Sequence, residues 1–355
     1  MKPIAVAVFI AGIIGLSTFA TARAHVPWFT PHEDFPISLD AVLAWPTVLG
    51  LGAAAIVVAG AWLISRAALP KLDALLRPET LGISGVQLVR LTQWLPLFLA
   101  AHVVFPLLAL TIQLQLLAPH LELPWNLWGA LIALGQLAAG LMLIYGAFSR
   151  FAAVGLALLV LAVVPFFGPL HALEQLHFLG IAAYFYIVGR GTFSLDRLLG
   201  RPSSPIANLQ PYAVPALRIL AGLGLVWAGF TEKLWNLPLA EAFLEEYPMN
   251  LLAATGFDVT NAQFALIIGT IEVAAGFLLV SGFLTRAAVL VVWFPLNLTL
   301  PLLGYVELIG HLPWYGIMAI LLIYGGRSHP LGTAGRDSDR PRTVDRTGVR
   351  ARSGR

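Results

Sequence analysis

Apolar runs of about 17 to 25 residues recur along the chain, separated by short polar segments, and each is long enough to cross a hydrocarbon core of about 30 Å as a helix. They predict helices over 42–64, 91–117, 127–148, 151–168, 174–190, 213–236, 262–284, 287–303 and 312–326. The expected fold is an all-α polytopic membrane helix bundle of about nine transmembrane helices. A closed barrel would show alternating segments of about ten residues, and none is present. Composition agrees: 59% of residues are hydrophobic and 11% charged, against about 25% charged in a soluble domain.

The first apolar run has a different character. MKPIAVAVFIAGIIGLSTFATARA has a short basic start, an apolar stretch and small residues, with Ala22-Arg23-Ala24 fitting an A-x-A cleavage site. Residues 1–24 are read as a secretory signal peptide, which makes His25 the first residue of the mature chain. Residues 25–65 then form a short periplasmic segment and the first helix, and 328–355 a disordered cytoplasmic tail.

Charge fixes the expected orientation. Arg66, Lys71, Arg77 and Arg90, then Arg150, then Arg190, Arg197, Arg201 and Arg218, then Arg286, and the eight arginines from Arg327 onward all fall on one side. Of the 19 Lys and Arg beyond residue 24, Lys233 alone does not. The positive-inside rule puts that side in the cytoplasm of a bacterial inner membrane, with the mature N-terminus periplasmic. The basic balance is accounted for by topology and anionic lipid, not nucleic acid. Trp28, Trp45, Trp125, Trp128, Trp235 and Trp314 read as an outer aromatic belt. There are no cysteines, which excludes disulfides and thiolate metal sites in this chain.

The chain also repeats itself. GQLAAGLMLIYGAFSRFAAV from Gly135 falls on IEVAAGFLLVSGFLTRAAV from Ile271 at an offset of 136, matching Gly140 with Gly276, Gly146 with Gly282 and Arg150 with Arg286; Gly180 meets Gly316 at the same offset. Two tandem four-helix units follow, 88–191 and 213–327, as parallel repeats.

Within the second unit Glu272 stands where the first carries Gln136. An ionised carboxylate at a helix centre costs about 2.5–3.5 kcal/mol on insertion scales, so it must be paired, hydrated or protonated. Counting from the inner arginines at about 1.5 Å per residue, Lys233 lies about 22 Å above Arg218 and Glu272 about 21 Å above Arg286. His311, His177 and His102 fall near the same level. Glu232 does too, but neighbours along an α-helix do not face each other, so it is a poor partner for Lys233. One reading is a buried structural ion pair. The other is a substrate or proton site with Glu272, Lys233 and His311 as its reactive groups and His102, His177 and Gln136 as the residues about a bound cofactor.

GLGLVWAGFTEK ending at Lys233, EVAAGFLLVSGFLTRAAV, and a histidine before the last helix make the second unit resemble the DoxX family of four-helix bacterial membrane proteins. The resemblance covers about 115 residues well and the first unit more weakly. It implies kinship with the membrane subunit of thiosulfate:quinone oxidoreductase, and Lys233 and Glu272 match the family's charged positions. The first unit departs at Gln136 and lacks the lysine, which suggests a scaffold role.

Chemistry outside the bilayer is expected at HVPWFTPHEDF, where the α-amine and imidazole of His25, with His32, would suit copper(II); His120 and His171 also face outward. Three functions stay open: the membrane subunit of a quinone-linked redox complex, a small-solute transporter, and a non-catalytic scaffold for a periplasmic, copper-binding partner. The expected partners are the lipid bilayer, a periplasmic or membrane redox protein, and a second copy of the chain in a homo-oligomer.

Overall fold

The structure, a computed structural model, describes Phe35 and residues 39–67, 74–201 and 205–326. Residues 1–24, expected to be a signal peptide, His25, His32 and the arginine-rich tail lie outside the described residues. Eleven helices carry the architecture: α1 (Trp45–Ala67), α2 (Gly85–Ile112), α3 (Leu127–Tyr145), α4 (Ser149–Phe167), α5 (Pro169–Glu174), α6 (Leu176–Val188), α7 (Gln210–Gly229), α8 (Leu237–Glu246), α9 (Asn261–Ser281), α10 (Thr285–Leu303) and α11 (Tyr305–Tyr324). A π turn, Phe230–Leu234, continues α7. Among the described residues eight helices are long and apolar enough to cross a membrane. The protein is therefore an all-α polytopic membrane bundle.

The fifth predicted span, 174–190, differs. Gly168 and Pro169 break the chain after α4, and α5 fills one turn and a half before α6 begins at Leu176. With 13 residues, α6 is about 20 Å long. It still returns to the arginine-rich end, because Arg150 Nε at the start of α4 donates to Tyr186 O near the end of α6 at 3.2 Å. The depth it leaves at the other end is occupied by α5 and the turn over 113–126.

The two halves interlock. α2 packs on α11 and α7 on both α6 and α9, so the opening helix of each half lies against the closing helix of the other. Gly180 and Gly316 mark these crossings: a Cβ on Gly180 would stand 3.1 Å from Leu217 O, and one on Gly316 2.7 Å from Leu99 Cδ1. Leu99, Val103, Leu107, Leu156, Phe185, Leu217 and Ile317 fill one continuous core. Leu131, Leu134, Phe151, Leu158, Val291 and Phe294 are exposed mid-helix, as lipid-facing positions should be.

The arginines at one end of the bundle do more than mark a side. Arg190 donates through Nε to Leu143 O (2.9 Å) and Nη2 to Ile144 O (3.0 Å), capping α3. Arg286 does the same for α11 at Leu322 O (2.8 Å) and Ile323 O (2.9 Å). Arg218 caps α9 through Leu279 O and Val280 O. The last carbonyls of a helix lack intrahelical partners and carry the negative end of its dipole, so a guanidinium there answers both needs. Gly282 ends α9 at φ +81°, and a Cβ there would lie 2.5 Å from Arg218 Nη1, so this site requires glycine for conformation and for space.

At the opposite end, the loop between α7 and α9 folds into α8, whose Leu239, Ala240, Phe243 and Leu244 pack on Ala265, Leu303 and Val306. Its acidic side faces away from the bundle, the arrangement of an amphipathic interfacial helix.

Candidate functional site

Lys233 and Glu272 meet because α7 and α9 approach backbone to backbone. Gly222 and Gly229 on one helix face Gly276 and Gly269 on the other, each pair two turns apart and so on one face. A Cβ added at Gly222 would lie 2.7 Å from Gly276 O, at Gly229 2.8 Å from the Glu272 Cβ, and at Gly269 2.8 Å from the Lys233 Cβ. Small residues let helices pack this closely where no hydrophobic force draws them together. A capping box of Thr260 and Gln263 starts α9 and sets its register.

Lys233 Nζ lies 2.9 Å from Glu272 Oε2 and 3.6 Å from Glu232 Oε2. The side chains are 12% (Lys233), 18% (Glu272) and 4% (Glu232) exposed, so the acid deeper in the protein is the one not expected to take part. The expectation that Glu232 cannot partner Lys233 is thus corrected. It assumed α-helical geometry, whereas Phe230–Leu234 is a π turn closed by Trp235 N–H donating to Phe230 O at 2.7 Å. The wider turn brings successive side chains closer in angle, and the flexible lysine bridges both carboxylates. α1 closes a further side, with Thr47 Oγ1 donating to Leu234 O at 2.7 Å.

Two carboxylates and one ammonium, when all ionised, leave a net negative charge. One more proton makes the group neutral. Such a cluster in an apolar bundle is chemically a place to hold and release one proton.

A comparison of the chain with family models, with curated proteins and with solved structures finds no match. The geometry therefore carries the functional reading.

The other expected site residues are distributed around this triad. His311 Nε2 lies 3.4 Å from Glu307 Oε1, one turn earlier on α11, and Glu307 accepts from Thr299 Oγ1 at 2.6 Å. His177 stacks on Trp314 with ring centroids 5.1 Å apart. His102 bonds its own helix through Nδ1 to Phe98 O at 2.8 Å and lies against Phe98.

Gln136 is fully buried, and its amide is used within the protein. Oε1 accepts from Leu117 N–H at 2.9 Å, while Nε2 donates to Gln115 O (2.9 Å), Thr111 Oγ1 (3.0 Å) and Leu107 O (3.2 Å). It pins the turn after α2, where Leu114 and Leu117 adopt φ of 53° and 62°. This corrects the cofactor-binding role expected of Gln136: its polar atoms serve the backbone.

A cavity of about 40 Å³ lies beside the triad, lined by Glu232, His177, Gly224 and Trp314 and, at its other side, by His120 and Glu174. The sequence reading did not single out Glu174, and it set Glu232 aside as a poor partner. Their acidic character was visible, but the short helix and the π turn that aim them inward were not.

Proposed function

We propose that the protein is the membrane subunit of a quinone-linked redox complex in a bacterial inner membrane, as the likeness to DoxX proteins suggests, with Glu232, Lys233 and Glu272 as its proton-exchanging group. The observation that carries this reading is the triad itself: three ionisable side chains in contact within apolar spans, next to a cavity reaching toward the outward-facing His120 and Glu174. Intramembrane ionisable groups that face a bundle interior mark proton and substrate paths.

The cavity, at about 40 Å³, is too small for a quinone ring, since ligand pockets measure about 300–1,000 Å³. It is roomy enough for water, which needs about 10–15 Å³. The fit is at the bundle surface, where Lys233 and Glu272 are partly exposed. A bound quinol supplies two protons and two electrons. In this reading Lys233 would orient a ring oxygen, and Glu272 would accept the two protons in succession, each handed on through Glu232 into the water-sized cavity. The electrons leave to a redox centre on a partner protein. A transporter reading is disfavoured because apolar side chains such as Leu217, Ala221, Ala275 and Leu279 fill the core between the triad and the arginine end.

The test is purification from native membrane in mild detergent, with mass spectrometry of co-purifying proteins and extraction of bound quinone. Wild type should carry quinone and a redox partner, and Glu272→Gln should retain the fold and the partner while losing proton-coupled turnover. A well-folded chain that brings down neither quinone nor redox protein would overturn the proposal.

A further inference from the structure

Three elements converge at the end of the bundle opposite the arginines. His120 comes from the turn over 113–126, which Gln136 and the bridge between Gln115 and Glu122 hold in shape. His171 and Glu174 come from α5, three residues apart and so on one face. α5 is in turn tied to α7 by Trp227 Nε1, which donates to Leu170 O at 3.1 Å.

His120 Nε2 lies 3.1 Å from Glu174 Oε2, and His171 Nδ1 lies 3.3 Å from Glu174 Oε1. The two imidazole rings stand 5.4 Å apart and 51° out of parallel. One donor atom from each of the three residues lies within 4.8 Å of the other two. A tetrahedral ion with bonds of about 2.0–2.1 Å holds its donors about 3.3 Å apart. Closing the observed set onto an ion thus takes side-chain adjustment of about 1 Å, with no backbone change. His120 and Glu174 are mostly buried, and His171, about a quarter exposed, leaves a way in.

We propose that His120, His171 and Glu174 form a three-ligand site for a divalent transition ion of the zinc–copper class. Two imidazoles and one carboxylate are the donor set such ions prefer, and magnesium and calcium do not. The fourth position falls toward the cavity shared with Glu232, which can hold a water or a small anion on the metal. This site is independent of the amino-terminal His25 and His32, and does not rest on the quinone reading.

Zinc and copper titrations of the full chain in detergent, by calorimetry after chelation and dialysis, test it. Cobalt(II) absorption reports the geometry. One equivalent of zinc or copper should bind in a variant carrying His25→Asn and His32→Asn, and cobalt should give the intense visible bands of a tetrahedral site. His171→Asn and Glu174→Gln should each weaken binding by about 100-fold or more while thermal unfolding stays cooperative, and His102→Asn should leave binding unchanged. No zinc, copper or cobalt binding, or binding that survives His120→Asn with His171→Asn, would refute the site. Binding lost only with His25 and His32 would assign the metal to the amino-terminal segment instead.

Discussion

Gly269→Ala is the smallest change that should pull the triad apart. The new Cβ would meet Lys233 Cβ at 2.8 Å, Leu234 Cδ2 at 2.9 Å and Gly229 O at 3.2 Å. Carbon atoms pack at about 3.5–4.0 Å, so α7 and α9 must part by about 1 Å. That stretches the 2.9 Å Lys233–Glu272 contact to about 3.9 Å, beyond the range of a charge-assisted hydrogen bond. Overpacking costs about 1–3 kcal/mol, and weakening a buried pair adds part of the about 3–5 kcal/mol that breaking one costs. Better helix propensity returns about 1 kcal/mol, leaving a net loss of about 2–4 kcal/mol. Thermal unfolding in detergent followed by tryptophan fluorescence measures it, with Gly52→Ala as the control, because nothing lies within 4 Å of a Cβ there. The control should match or exceed wild type while Gly269→Ala melts well below it. If the two variants melt together, the tight glycine contact does not hold the site and the reasoning fails.

Gln136→Leu should destabilise by about 2–5 kcal/mol, because it strands Leu117 N–H and Gln115 O in an apolar setting; hydrogen exchange should show the 113–118 backbone opening first. Asp196 caps α4, accepting from Phe148 N–H (2.7 Å), Ser149 N–H (2.9 Å) and Ser149 Oγ (2.8 Å), so Asp196→Ala should cost about 1–3 kcal/mol in the same melt. Burial opposes its charge, but the Ser149 and Phe148 bonds prevail and lower its pKa. A depressed carboxyl stabilises the fold above its unfolded value of about 3.9 and loses that contribution as pH falls through the lower folded value. Asp196→Asn should flatten the stability profile over that acidic window, and an unaltered profile would contradict the assignment.

Much of the fold was legible because lipid makes one demand of every spanning segment, and apolar length answers it. The depth of Lys233 and Glu272 was legible as well: both helices are anchored by arginines, and a rise per residue converts counting into height. What counting cannot supply is direction around the helix axis, so it gave no sign that His311 meets Glu307 on its own helix. Local departures from α geometry were hidden too. The π turn that brings Glu232 to Lys233 leaves no mark in an apolar pattern, and the one-and-a-half-turn α5 that carries His171 and Glu174 was absorbed into its neighbours. The repeat helped and misled at one position. Gln136 aligns with Glu272, yet the amide answers the backbone of a turn while the carboxylate answers an ammonium.

A double-mutant cycle on Lys233→Met and Glu272→Met, read as unfolding free energy in lipid nanodiscs, bears most directly on the joined charges. Lys233→Met, which strands both carboxylates, should cost about 3–5 kcal/mol, Glu272→Met less because Glu232 still faces the lysine, and the double change less than the sum of the two. Additivity within about 0.5 kcal/mol would mean that the lysine and the acid do not interact, and the triad would be lost as a functional unit.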